Sequence, residues 1–212
     1  MKEKNNMALL QTKTSSVKND FTGYFEAGII KVESREGQYD WADVWIDVHF
    51  NLKGSQYPQV HSIKGSFDKE SDGTISINKM VRQFNYFKDA IGFTGGINTD
   101  GEWEDEGGEI IKDIESELNK HINNMNGTDN PMLEPPFDFY IYLYKEAPKK
   151  PGGKIYKRVL GKICSNDAKG KAELTSYVTY MQQKAYLKEA SDEDVANNTS
   201  TTGTASGDEL PF

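Results

Sequence analysis

The chain holds a single cysteine, Cys164, and three histidines. One cysteine excludes an intrachain disulfide, and Cys164 reads as a small strand residue rather than a nucleophile. His49, His61 and His121 lie far apart and form no zinc-type spacing with it. No apolar run approaches the roughly 20 residues that span a bilayer. The opening residues, MKEKNNMALLQTKTSS, lack the apolar core of a signal peptide. These absences predict a cytoplasmic protein with no membrane contact. There is no phosphate-binding glycine loop of the Walker type, no G-x-S-x-G elbow and no zinc ribbon. Gly92–Gly96 reads as a flexible loop. No cofactor, metal or catalytic residue is expected. Asp100, Glu102, Glu104, Asp105, Glu106 and Glu109 invite a divalent-cation reading, as in a nuclease. They do not match a calcium loop, and acidic runs are usually solvated.

Hydrophobic residues make up only 36 % of the chain and mean hydropathy is −0.72, so a substantial part is expected to be loop or tail. Net charge is −8, which at first argues against a nucleic-acid partner. The charge is uneven, however. Residues 98–118 hold nine acids and one base, and residues 189–212 hold six acids and no base. With both segments set aside, 33 acids and 25 bases become 18 and 24, a remainder near +6. An acidic chain can contain a basic body.

Residues 1–20 read as a mobile arm. Phe21 to Ser34 reads as a first strand without clean alternation, either buried on both faces or bent near Gly23 or Gly28. Asp43 to Leu52 is a clear second strand. Val44, Ile46, Val48, Phe50 and Leu52 share one face and Asp43, Trp45, Asp47, His49 and Asn51 the other. Trp45 is then either a stacking platform or a ring covered by the arm or a helix. Gln59 to Phe67 reads as a third strand, with Lys64 outward. Ser76 is the expected N-cap of a helix over 77–91, which Gly92 ends. Residues 92–136 read as an acidic, turn-rich insertion with a second amphipathic helix over 110–122. A helical pattern runs from Ala172 to about Lys188, although its threonines and tyrosines also suit a strand.

The most informative stretch is Phe137 to Cys164, FDFYIYLYKEAPKKPGGKIYKRVLGKIC. It reads as a β-hairpin. Phe137, Phe139, Ile141 and Leu143 alternate with Asp138, Tyr140, Tyr142 and Tyr144. The loop carries Lys145, Lys149, Lys150 and Lys154. The return strand puts Tyr156, Arg158 and Lys162 opposite Ile155, Val159 and Ile163. Tyrosines beside cations suit stacked bases and phosphates, the way single-stranded nucleic acid is held. The same residues also suit an ordinary hairpin with half-buried tyrosines and solvated lysines.

Three strands, a helix and two further strands is the order of an OB-fold, a five-stranded, partly open Greek-key barrel with a helix between strands three and four. The expected fold class is therefore all-β with helical additions: an OB-fold domain over 21–188 and a disordered acidic tail over 189–212. An OB-fold binds its ligand between the loop joining strands one and two and the loop joining strands four and five. Arg35, Tyr39 and Trp41 fall in the first loop and the lysines in the second. The expected nucleic-acid-binding set is Arg35, Tyr39, Trp41, Trp45, Lys64, Tyr140, Tyr142, Tyr144, Lys149, Lys150, Lys154, Tyr156, Arg158 and Lys162.

The last residues, Asp208-Glu209-Leu210-Pro211-Phe212, stand behind a flexible polar linker. They resemble the tip of bacterial single-stranded DNA-binding proteins, and the strand pattern and size look most like phage-encoded OB-fold members. The resemblance implies sequence-tolerant binding of single-stranded DNA and recruitment of replication and recombination proteins through the tip. It implies a monomer or small homo-oligomer, in host cytoplasm if phage-encoded. Phe212 would offer a ring and a carboxylate, with Asp208 and Glu209 steering. The insertion over 92–136 departs from the bacterial pattern and puts the usual tetramer in doubt. Two alternatives stand beside it: a metal-dependent nuclease or recombination factor using the acids at 100–109, and a replisome adaptor whose barrel binds protein.

Overall fold

A computed structural model describes residues 22–127 and 135–200. The elements, in chain order, are β1 (Gly23–Ser34), β2 (Val44–Leu52), β3 (Gln59–Gly65), α1 (Lys79–Ile91), β4 (Gly96–Ile97), β5 (Trp103–Glu104), α2 (Ile114–Asn126), β6 (Phe139–Glu146), β7 (Tyr156–Val159), β8 (Cys164–Ser165), α3 (Ala168–Gln183) and α4 (Asp192–Ser200). The protein is mostly β with a few helices. One antiparallel sheet runs β3-β2-β1-β6-β7, and β8 continues along β6 where β7 stops. Among the described residues β3 and β7 are not hydrogen-bonded to each other, so the barrel does not close. No described helix is long and apolar enough to cross a membrane.

Alternation decides which face of the sheet is inner. Val44, Ile46, Val48, Phe50 and Leu52 of β2 are buried, and Ile63 of β3 and Ile141 and Leu143 of β6 join them. The irregular pattern of β1 has a local cause. Its register with β2 shifts between Ile29 and Lys31, so a bulge swaps the faces of its two halves. Just before it, a Cβ at Gly28 would sit 2.7 Å from the Pro136 carbonyl oxygen, and only glycine lets that segment lie against the strand.

Helix α1 closes the inner face with Met80, Phe84, Phe87 and Ile91. It starts two residues later than the sequence predicts. Asn78 is the N-cap, its side chain accepting from the Val81 N–H at 3.1 Å. Ile77 lies outside the helix and is 68 % exposed.

The expected insertion is in part core. Ile114, Leu118 and Ile122 of α2 are buried in the same cluster as the strands. Strand β6 pairs β1 only over Gly23–Ala27, which leaves the following edge of β1 open. Helix α2 covers it. The Asn119 amide donates to the Val32 carbonyl and accepts from its N–H, both at 2.8 Å, and Glu115 accepts from the Ser34 N–H at 2.7 Å. Side chains thus satisfy backbone groups that a strand would otherwise take.

The C-terminal region also departs from expectation. Residues Asp192–Ser200 form α4, so the disordered tail does not begin at 189. Ser191 starts this helix: its N–H and hydroxyl both reach Asp194 Oδ2, and its hydroxyl oxygen accepts from the Asp194 N–H. Three acids in the first turn suit the positive end of a helix. The expected arm at 1–20 and the tip at 208–212 lie outside the described residues.

His61 sits on the inner face of β3 and is 5 % exposed, and its Nε2 has no hydrogen-bond partner among the described residues. Burial, aided by the nearby Lys79 charge, lowers its pKa to about 4. In the unfolded chain it would titrate near the ordinary value of about 6.5. The folded state therefore resists a proton that the unfolded state accepts. Stability is full above about pH 6.5 and falls toward pH 4, by on the order of 2–3 kcal/mol. Chemical denaturation across that range should show the loss, and the His61→Leu variant should flatten it. Equal slopes in both proteins would disprove the assignment.

Candidate nucleic-acid interface

The outer face of β2 and β3 carries an aromatic cluster that the β1–β2 loop completes. Tyr39 stacks on Trp45 with ring centroids 4.9 Å apart and an interplanar angle of 24°. Trp41 stands 5.6 Å from Trp45 at 47°. Lys64, opposite Trp45 in the β2–β3 register, places its Nζ 4.0 Å from the Trp45 ring centroid. Trp45 is half-buried beneath its neighbours, while Tyr39 is 48 % and Trp41 54 % exposed. Large rings left this open and grouped together are uncommon on a surface without a partner. Two π faces and an ammonium group thus converge on one patch.

A buried carboxylate holds this patch in shape. Asp47 accepts from the Trp45 indole N–H at 3.1 Å, from the Ser62 hydroxyl at 2.6 Å and from Arg35 Nε at 2.6 Å. Burial alone would raise its pKa. The hydrogen bonds from Ser62, Trp45 and Arg35 outweigh burial and hold it below the usual carboxylate range. Arg35 also lies 3.9 Å from Glu33, which His49 Nε2 reaches at 3.1 Å and Lys31 pairs with. Arg35 is therefore a positioning residue first, with its side chain still 42 % exposed.

The loop is braced from below. Trp103 of β5 is buried edge-on against Phe84 and donates its indole N–H to Glu36 at 2.8 Å. The acidic 98–109 segment consequently supports the aromatic loop. Asp105 spends its carboxylate on the Gly107 and Glu109 N–H groups, and Thr94 donates to Glu106. Among the described residues no three His, Cys, Asp or Glu side chains are grouped to hold a metal ion.

The tyrosine row of β6 is not an open platform. It lies on the same outer face of the sheet, but α3 packs over it with Leu174 and Val178. Tyr142 is 9 % exposed and donates to Glu189 at 2.7 Å; burial, and then that carboxylate, push its pKa up. Tyr144 is half-buried in the same cluster. Tyr140 stacks on Tyr24 at 5.7 Å, with Lys171 above its ring. Lys162 is also withdrawn: it pairs with Glu173 at 2.6 Å and sits over Tyr86 and Tyr177. Burial would lower its pKa, but the Glu173 pair outweighs this and raises it. The expectation that Tyr140, Tyr142, Tyr144 and Lys162 form one open face is corrected: α3 packs against the three tyrosines, Glu173 pairs Lys162, and Tyr144 borders a cavity between α1 and α3. A strand face rich in tyrosine is also a good seat for a helix.

The hairpin tip remains open. Lys149, Lys150 and Lys154 are exposed, as is Tyr156 at 52 %. Arg158 lies over the Tyr156 ring at 5.1 Å and pairs with Glu146 at 2.9 Å. The structure thus groups Arg35, Tyr39, Trp41, Trp45 and Lys64 in one place, and the three tip lysines with Tyr156 and Arg158 in another. Sequence reasoning missed Asp47 as organiser. Its only signal was an acid between Trp45 and His49 on a strand face.

No family model, no curated protein and no solved structure matches this chain.

Proposed function

We propose that this protein binds single-stranded DNA without strong sequence preference and does no chemistry on it. The observation that carries this reading is the exposed Tyr39–Trp41–Trp45 cluster with Lys64 over its central ring. Bases stack on such rings whatever their identity, because every base has a π face. Lys64 and the tip lysines Lys149, Lys150 and Lys154 are the cations for phosphates, with Arg35 and Arg158 beside them. The strand order, with a helix after the third strand, supports an opened OB-fold as the scaffold. The β1–β2 loop and the β6–β7 hairpin would then flank the path of the strand.

Tryptophan fluorescence during titration with oligo-dT tests the reading. Quenching is expected, and the affinity should fall with rising salt as counterions are released from the phosphates, with a slope of roughly −0.7 per phosphate contact. No quenching and no gel shift at low salt would remove the idea. Quenching that ignores salt would remove the phosphate contacts. Capture of a protein through the Trp41 patch, with no DNA response, would favour the adaptor reading instead.

Asp208–Phe212 is proposed as the docking tip for replication or recombination proteins, following the resemblance to phage and bacterial single-stranded DNA-binding proteins. Its removal should leave oligo-dT affinity equal or higher and abolish capture of partner proteins. A clear loss of DNA affinity would count against a separate docking role.

A further inference from the structure

A cavity lies between α1 and α3, with Tyr144 of β6 and Val159 of β7 in its wall. Its volume is about 650 Å³, within the roughly 300–1,000 Å³ typical of small-ligand sites. Five tyrosines line it: Tyr86 from α1, Tyr144 from β6, Tyr177 and Tyr180 from α3, and Tyr186 beyond it. Tyr86 meets Tyr177 edge-on at 5.9 Å, and Tyr180 meets Tyr186 edge-on at 6.3 Å. Edge-on pairs leave ring faces available to a third flat group. Tyr180 and Tyr186 are 48 % and 64 % exposed.

The electrostatics are equally one-sided. Lys79 and Arg82 stand on the α1 wall, and neither forms an ion pair among the described residues. Lys162 lies over the Tyr86 and Tyr177 rings, but its charge is paired with Glu173, so Lys79 and Arg82 carry the positive charge of the cavity. Among the described residues no carboxylate lines the cavity, in a chain whose net charge is −8. Gln83 supplies an amide that can both donate and accept. Gly161 lets it approach, because a Cβ there would lie 2.6 Å from the Gln83 side chain.

We infer that this cavity binds a nucleobase–phosphate unit, with the base between tyrosine rings and the phosphate on Arg82 and Lys79. An aliphatic ligand would leave the cations unanswered, and a simple anion would leave the rings unused. The unit has two sources, a free mononucleotide or one nucleotide of a bound single strand. The first is independent of the interface proposed above; the second rests on it.

Tyrosine-ring NMR of the full chain, titrated with dTMP and separately with oligo-dT, decides. Saturable shifts at Tyr86, Tyr177 and Tyr180 are expected with at least one ligand, with Kd at or below about 1 mM. Shifts with dTMP assign a free-nucleotide site; shifts with oligo-dT alone assign a place on the strand's path. The double variant Lys79→Glu, Arg82→Glu should weaken the response at least about tenfold. Its amide spectrum reports folding, and Arg82→Gln repeats the test should the double variant unfold. Still tyrosine rings with both ligands overturn the inference, as does an unchanged response in the charge variants. Tryptophan fluorescence read on the same samples separates the two sites. Quenching without ring shifts removes only the cavity, and ring shifts without quenching remove only the Trp41 interface.

Discussion

Replacing both Tyr39 and Trp41 by alanine should weaken oligo-dT binding by about 30-fold or more while leaving the fold intact. Both rings are about half exposed, so their removal opens no core cavity. Stacking is worth roughly 1–3 kcal/mol per base, so two lost platforms cost at least about 2 kcal/mol. Trp45 is the poorer target, because it is half-buried and its indole is one of the three donors to Asp47. The comparison variant is Tyr142→Phe, which removes the hydroxyl bonded to Glu189 from a ring that α3 covers. It should leave DNA affinity unchanged. Fluorescence anisotropy of labelled oligo-dT measures both. If Tyr142→Phe weakened binding and the double alanine variant did not, the interface would have to move to β6.

Gly170→Val should be the most destabilising single substitution on the outer side of the sheet. Gly170 lies in the first turn of α3, whose N-cap Asp167 accepts its N–H at 2.7 Å. A Cβ there would fall on the Ser165 carbonyl oxygen, inside any van der Waals contact. The obstacle is backbone in β8 and cannot swing aside. Ordinary overpacking costs about 1–3 kcal/mol, and this site should exceed it, at about 4 kcal/mol. Relief would need α3 to lift off β6, uncovering Tyr142, Leu160 and Val178. Denaturant unfolding measures the loss. Lys169→Ala, one residue away and exposed, should stay within about 0.5 kcal/mol of the parent. A tolerated valine would mean that α3 is not seated as described.

These two substitutions mark how far the residues alone could be read. Strand β2 was legible because five buried apolar residues alternate with four polar or aromatic ones, and period 2 has one structural meaning. Helix α1 was legible through its apolar stripe and its Gly92 stop, although Asn78 and not Ser76 caps it. Arg35, Tyr39, Trp41 and Trp45 are close in sequence, so the loop and the strand it enters hold them together, and the β2–β3 register adds Lys64. The misreading fell on Tyr140, Tyr142 and Tyr144. Their alternation says that they share a face, but not whether a helix about 30 residues further on will lie over it.

The same limit runs through the molecule. Local pattern determined the long strands β1, β2, β3 and β6, the first helix, the aromatic loop and the open lysine tip, because each depends on residues a few positions apart. Tertiary structure decided the rest: that α3 claims the tyrosine face, that α2 is core and seals the edge of β1, that Asp47 gathers three donors, and that α1 and α3 enclose a tyrosine-lined cavity. Each of these joins segments distant in the chain, and periodicity carries no information about which surface will meet which.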